Sequence, residues 1–171
     1  MIYEPGEDSF LLQKYVKKYA KGKVLDLGTG SGIQALTALE NTKNVTAVDI
    51  NKEAVDMVKS MGIRAFVSYL FENLNNENFD LIIFNPPYLP EDKDEGEDSK
   101  VNTTGGRKGS EIIERFLKSA RGYLNKGGKI LLVCSSLSGD VEGLFRKYSF
   151  SFKMLEEMKF DFEKIFVYLV Y

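Results

Sequence analysis

Apolar positions along the chain follow two alternating patterns. Short apolar runs at residues 23–27, 44–50, 64–68, 79–84 and 129–134 each have the length of a buried strand. Between them, apolar residues recur three and four apart, the spacing of one helix face. Glu7–Tyr19 carries Phe10, Leu11, Tyr15, Val16 and Tyr19 in such a stripe, predicting a helix that turns these side chains to the core. Residues 33–41 and 52–61 are expected as further helices, the second capped by the Asn51 side chain. Residues 110–124 place Ile112, Ile113, Phe116, Leu117 and Ala120 on one face, with Ser110 as a candidate cap. Gly127-Gly128 then turns the chain into the strand 129–134. A helix over 140–148 and two strands near 150–155 and 164–170 complete the pattern. Strands alternating with helices through short connections specify an α/β fold with a doubly wound sheet. At 171 residues the chain is expected to form a single domain over 1–171, large enough for a sizeable core. Residues 91–109 have no periodic pattern and are expected to be a lid or substrate loop without fixed order.

Two stretches between these elements carry chemistry. The run Leu81-Ile82-Ile83-Phe84 ends abruptly in Asn85-Pro86-Pro87-Tyr88. The Pro pair removes two consecutive N–H donors and stops the strand, while the carbonyls of Asn85 and Pro86 stay free to accept. An Asn side chain, acceptor carbonyls and an aromatic ring at a strand's C-terminal edge suit a planar NH2-bearing group. The carbonyls can take its two N–H bonds and Tyr88 can stack on its face. Taken alone, the tetrapeptide can also be a Pro-rich turn of no chemical consequence. The second stretch is KVLDL (23–27), followed by Gly28-Thr29-Gly30-Ser31-Gly32 and a helix. Strand, glycine turn and helix form the first unit of a nucleotide-binding α/β fold. Asp49 ends the next strand, 19 residues beyond Gly30, where an acid can accept from ribose hydroxyls. The spacing is G-x-G-x-G, so the dinucleotide fingerprint is not met. Asp26, two residues before the first glycine, favours a ligand with a ribose and a cationic amine over one with a pyrophosphate. Asp26 can alternatively be a capping acid that ties down the turn.

Composition narrows the chemistry further. The chain has no histidine, which excludes serine-hydrolase triads, histidine acid–base catalysis and most zinc sites. Its single cysteine, Cys134, ends an apolar run and reads as a buried core thiol, so neither a disulfide nor a metal site is expected. The net charge of −2 contains one local exception: EDKDEGED at 91–98 holds six acids and one lysine. That segment is a solvated loop or, lying beside the NPPY edge, a surface that repels a phosphate backbone and attracts a basic protein. The second reading argues against nucleic acid as substrate. No run approaches a membrane span and no signal peptide opens the chain, so a cytoplasmic domain without membrane contact is expected.

With these residues in view, the chain resembles the class I S-adenosylmethionine-dependent methyltransferases. More narrowly, it resembles the HemK/PrmC group of glutamine N5-methyltransferases that modify translation release factors. The resemblance rests on Tyr3-Glu4-Pro5 with Glu7-Asp8-Ser9-Phe10-Leu11-Leu12, on Asp26-Leu27-Gly28-Thr29-Gly30-Ser31-Gly32 and on Val48-Asp49-Ile50-Asn51. It continues through Asn85-Pro86-Pro87-Tyr88-Leu89-Pro90, Gly105-Gly106-Arg107-Lys108-Gly109 and Gly127-Gly128-Lys129. The N-terminal string is similar to the short archaeal and eukaryotic branch. No separate helical N-terminal domain is expected, since the glycine loop begins at residue 28. The resemblance implies a Rossmann-like seven-stranded sheet, mostly parallel with an antiparallel last strand, and S-adenosyl-L-methionine as cofactor. It implies that Gly28 and Gly30 approach the methionine moiety, Asp26 meets its ammonium, Asp49 binds the ribose and Ser9 closes over the pocket. One departure stands out. Where the family has an Asp-Leu pair after the third strand, this chain has Tyr69-Leu70, so the adenine amino group would meet a phenol and not a carboxylate.

An amide nitrogen is a poor nucleophile because its lone pair is delocalised, whereas a sulfonium methyl is already a strong electrophile. Catalysis then consists mainly of positioning, which can contribute on the order of 7–11 kcal/mol. The Asn85 side-chain carbonyl and the Pro86 carbonyl are expected to accept the two amide hydrogens, with Tyr88 against the amide plane. Asn85, Pro86, Pro87 and Tyr88 are thus the candidate catalytic set, and Asn85 also borders the cofactor. The expected substrate is the glutamine of the GGQ motif of a release factor. Alternatives are an adenine-N6 or guanine-N2 methyltransferase on nucleic acid, and a non-catalytic S-adenosylmethionine-binding subunit. The short branch further implies a small zinc-binding activator subunit that covers an apolar strand edge. Residues 164–171 can be such an edge, or an interior strand.

Overall fold

Strands as apolar as 79–84 and 129–134 must be covered on both faces, and two helical layers do so here. The computed structural model describes residues 2, 4–75, 77–91 and 103–171. Among these residues seven strands form one sheet: β1 Val24–Leu27, β2 Val45–Asp49, β3 Arg64–Val67, β4 Phe79–Phe84, β5 Leu124–Ser135, β6 Phe152–Lys159 and β7 Lys164–Val170. Their order is β3-β2-β1-β4-β5-β7-β6. The pairs from β3 across to β5 are all parallel, and β7 runs antiparallel to both β5 and β6. The expected α/β class, strand number and single reversed strand are all present.

Side chains alternate across the sheet, so each strand feeds two cores. On one face Val24, Leu81, Ile83, Leu131 and Val133 pack with α1 (Glu7–Tyr19), α2 (Ile33–Leu39) and α3 (Lys52–Ser60). On the other, Leu25, Leu27, Ile82, Phe84, Ile130 and Leu132 pack with α4 (Glu111–Ala120) and α5 (Val141–Lys147). Phe116 of α4 is fully buried, 4.8 Å from the Phe84 ring and 5.5 Å from the Phe71 ring, and anchors the second core beneath the end of β4.

Register places the site. Leu27 pairs with Val48 and with Phe84, and Asp49 pairs with Val67, so the strands β3, β2, β1 and β4 end in one row. The strand order reverses between β1 and β4. Loops leaving those two strands diverge, and a crevice opens at the C-terminal edge.

Several local expectations are corrected. Phe10 is 55% exposed while Leu12 is fully buried, because the inward face of α1 runs through Asp8, Leu11, Leu12, Tyr15 and Val16. Asn51 caps α3 as expected, accepting from the Glu53 N–H at 2.9 Å, but Ser110 makes no side-chain cap bond. The helix expected to reach residue 124 stops at Ala120, and a 3₁₀ turn, Arg121–Tyr123, leads directly into β5. β5 runs through the glycine pair and does not start after it: Leu124 pairs with Phe79, Lys129 with Leu81, and the register shifts between them. Gly127, at φ +77°, absorbs that irregularity. β6 lies further along than expected, at Phe152–Lys159. Residues 164–170 form an interior strand, so the outer edges of the sheet are β3 and β6.

The stretch 91–109, expected to lack order, is held in place over its described part. Leu89 N–H donates to the Thr103 carbonyl (2.9 Å), Gly105 N–H to the Leu89 carbonyl (2.9 Å) and Glu91 N–H to the Gly106 carbonyl (3.0 Å). A Cβ on Gly105 would stand 2.7 Å from the Pro87 carbonyl oxygen, so glycine there lets this segment lie flat against the NPPY edge. Residues 92–98 of the acidic run, and Tyr3 of the Tyr3-Glu4-Pro5 string, lie outside the described residues.

Candidate active site

A cavity of about 520 Å³ fills the crevice. Its walls come from the loop after β1 (Gly28, Gly30), the end of β2 and the start of α3 (Asp49, Ile50, Asn51, Glu53), the segment after β3 (Ser68, Tyr69, Leu70) and the NPPY edge (Asn85, Pro86, Pro87, Tyr88). Asp8 reaches in from the first turn of α1. Asp8, Asp49 and Glu53 give the wall three carboxylates, and no lysine or arginine lines it among the described residues. Such a cavity suits a cationic ligand and disfavours a pyrophosphate.

The glycine loop is held by its own donors. Gly28 and Thr29 N–H both donate to the Val48 carbonyl, at 2.8 and 3.0 Å, and Gly30 N–H donates to Asp49 Oδ2 at 2.9 Å. Three successive amides that could have cradled a phosphate are thereby consumed. Gly28 and Gly30 sit at φ +69° and +50°, the left-handed region that glycine enters without steric cost. The other oxygen of Asp49 accepts from Asn51 N–H at 2.8 Å, so the carboxylate is fixed on both sides with its remaining lone pairs available to the cavity.

Asp26 does not reach the wall. It is 2% exposed beneath the loop, and its Oδ2 accepts from Thr29 Oγ at 2.6 Å and from Ala35 N–H at 3.1 Å. These bonds tie Oδ2 to the turn, and burial pushes the carboxyl up to about 6 despite those two donors. Ser9 also lies off the cavity: it is buried, and its carbonyl accepts from Gln34 Nε2 at 2.8 Å. Its neighbour Asp8 takes the wall position, since consecutive helical side chains diverge by about 100°. Tyr69 and Leu70 do line the cavity, and the Tyr69 hydroxyl accepts from Arg115 at 3.0 Å.

At the NPPY edge the amide of Asn85 has one possible orientation. Its Nδ2 lies 2.8 Å from Asp8 Oδ2, where a carboxylate requires a donor. Asn85 Oδ1 is left buried without a hydrogen-bond partner among the described residues. The Pro86 carbonyl likewise receives no hydrogen bond from any described residue. The Tyr88 hydroxyl donates to the same Asp8 oxygen at 3.2 Å, and the Tyr88 carbonyl accepts from Ser138 Oγ at 2.8 Å, which fixes the ring and the strand exit. The arrangement can take a planar group with two N–H donors. Asp8, Ile50, Glu53, Leu89 and Thr103 are wall residues that sequence reasoning missed. For Asp8 the signal was present, within the Glu7-Asp8-Ser9 string, but the neighbouring serine was assigned the role.

A seven-stranded Rossmann-like sheet with an acid-lined crevice at the switch between β1 and β4 is the architecture of a small-molecule-dependent group transferase of the methyltransferase type. The chain belongs to the methyltransferase small domain family, whose model matches residues 6–161. It is 38% identical over 97% of its length, and 89% of the relative's, to a Methanocaldococcus jannaschii protein provisionally named a protein N5-glutamine methyltransferase. It is 34% identical to a release factor glutamine methyltransferase of Streptococcus pneumoniae over 73% of this chain, spanning half the length of that relative. Among solved structures it is similar to the E. cuniculi Mtq2-Trm112 complex, described as responsible for methylation of the eRF1 translation termination factor. The TM-score is 0.80 with 25% identity, covering 99% of this chain and 97% of that one. No helix among the described residues is long and apolar enough to cross a membrane.

Proposed function

We propose that the protein transfers the methyl group of S-adenosyl-L-methionine to the side-chain amide nitrogen (N5) of a glutamine, that of the GGQ motif in a translation release factor. The observation that carries this reading is a buried acceptor without a partner among the described residues, Asn85 Oδ1, beside the Pro86 carbonyl, which accepts from none of them, on two residues that line the cavity. A primary amide has two N–H donors in one plane and satisfies both. The cavity's residues also fit the cofactor: Asp49 faces the space as a fixed acceptor for ribose hydroxyls, and the carboxylate-lined wall suits a sulfonium and an ammonium. When bound, the cofactor supplies an electrophilic methyl group. This chain's part is to hold the amide hydrogens in the plane of the two acceptors, drawing electron density towards nitrogen as charge develops. Tyr88 covers the amide face, and the extra proton leaves after transfer. The names of the archaeal and bacterial relatives and of the E. cuniculi complex support the substrate class.

A small zinc-binding activator subunit accompanies this reading, and it would cover one of the two outer strands, β3 or β6. The same reading sets the protein in the cytoplasm, where release factors act. The test is transfer of labelled methyl from S-adenosyl-L-methionine to purified release factor, intact or with its GGQ glutamine replaced, beside a DNA acceptor. Label on the intact factor alone is expected. Label on DNA alone would replace this reading with the amino-group methylation of nucleic acid.

A further inference from the structure

We infer that Asp8 is a positioning residue: it dictates which end of the Asn85 amide faces the substrate and so makes the pocket select an amide over a carboxylate. This rests on the glutamine reading above. Asp8 is 7% exposed, and both oxygens of its carboxylate accept hydrogen bonds. Ser9 N–H (2.6 Å) and Ser9 Oγ (3.3 Å) meet Oδ1, while Asn85 Nδ2 (2.8 Å) and the Tyr88 hydroxyl (3.2 Å) meet Oδ2. The contacts on Oδ1 belong to α1, and those on Oδ2 belong to the NPPY edge, 77 and 80 residues away in sequence. Asp8 therefore clamps the start of α1 to the end of β4.

The clamp has a chemical consequence. An Asn amide is nearly symmetric in shape, and rotation by half a turn would present its NH2 to the pocket. A donor there would oppose the NH2 of glutamine and welcome the oxygens of glutamate. The Asp8 carboxylate has no hydrogen to give, so it tolerates only Nδ2 on its side and Oδ1 on the other. The buried, partnerless Asn85 Oδ1 is the product of that choice. A site built to accept two N–H bonds rejects an isosteric acceptor strongly, because its own acceptors would be left facing oxygen.

The experiment compares wild type, Asp8→Asn and Asp8→Glu on a glutamine peptide at saturating cofactor, with the matching glutamate peptide as competitor. Asp8→Asn can donate to Asn85 Oδ1 and so permits the rotated amide. Its kcat is expected to fall roughly 10- to 100-fold, with the glutamate peptide becoming a better inhibitor relative to the glutamine peptide. Asp8→Glu, which keeps a carboxylate, is expected to retain the wild-type preference. In parallel, exchange of the Asn85 side-chain NH2 protons is followed by NMR and is expected to be roughly tenfold or more faster in Asp8→Asn. Unchanged kcat in Asp8→Asn overturns the proposal, as does lost activity with the glutamine-to-glutamate preference intact. Equal exchange rates in Asp8→Asn and wild type overturn it whatever the substrate. Wild-type enzyme that labels no glutamine would instead overturn the functional reading, and the exchange rates would still decide the Asp8 contact.

Discussion

The loops that leave β1 and β4 lie side by side at the same edge of the sheet and solve opposite problems. The loop after β1 is rich in backbone donors, and the fold consumes them: Gly28 and Thr29 on Val48, Gly30 on Asp49. The loop after β4 has had its donors removed by two prolines, and among the described residues the acceptors Asn85 Oδ1 and the Pro86 carbonyl have no partner. One loop is rigid because it is satisfied and offers a smooth wall to a ligand. The other is functional because it is unsatisfied, and a buried polar atom without a partner costs stability that only a bound donor returns. The chemistry of the crevice lies in this division between paired and unpaired groups, more than in any titrating side chain.

The comparison can be broken from either side. The largest effect is expected from Asn85→Asp, which replaces the donor facing Asp8 with a second carboxylate. Repulsion should turn the acceptor away, and methyl transfer should fall about 10²- to 10³-fold in single-turnover assays. Asp26→Asn acts on the paired side. Asp26 titrates at about 6 in the folded chain, against the ordinary 3.8. The folded state therefore holds an extra proton between about pH 4 and 6, and the wild type loses stability as pH rises through that window. The variant keeps an acceptor for Thr29 and Ala35 without the buried charge. Its folding free energy, from denaturant unfolding, should exceed the wild type's above pH 6 by a margin on the order of 2–3 kcal/mol that vanishes near pH 4.

Asp49→Asn leaves a single acceptor for the Gly30 and Asn51 amides and puts an NH2 where the ribose hydroxyls would donate. Cofactor affinity should weaken about 10- to 100-fold by calorimetry. Gly28→Ala forces a side chain into the left-handed region at φ +69°, where the new Cβ would lie 3.7 Å from the Phe84 ring. The strain is about 1–2 kcal/mol, read as a melting shift of about 2–4 °C per kcal/mol. The smallest effect belongs to Tyr69→Asp, which restores a carboxylate acceptor beside the cavity. Cofactor binding should tighten by about 1 kcal/mol, and no change would show that the phenol serves as well.

Most of the architecture was legible because it depends on patterns that a sheet requires. Runs buried on both faces have to be apolar throughout, as 81–84 and 130–134 are, and the glycine and proline punctuation marks where they stop. What sequence could not supply was contact across long separations. Asp8 in a first helical turn looks like a residue placed for the helix dipole; only the packing of α1 against the end of β4 gives it Asn85 and Tyr88. Asp26 was ambiguous for a related reason, since a single acid before a glycine turn can face the ligand or the turn. In the fold one of its oxygens, Oδ2, is bound to the turn by Thr29 and Ala35. The glycine pair at 127–128 was misjudged because a strand can pass through a bulge, and neighbouring Phe79 sets that register from outside the segment. Residues 103–109 have no periodicity of their own because their backbone bonds go to Leu89 and Glu91.

The central claim is that an unpaired acceptor on Asn85 drives transfer to an amide nitrogen. Single-turnover methylation of a GGQ-containing peptide by wild type and by Asn85→Ala, both saturated with S-adenosyl-L-methionine, tests it most directly. A fall of about 10²- to 10³-fold in the chemical step, with the cofactor still bound, is the predicted result. Transfer at the wild-type rate by Asn85→Ala would contradict it.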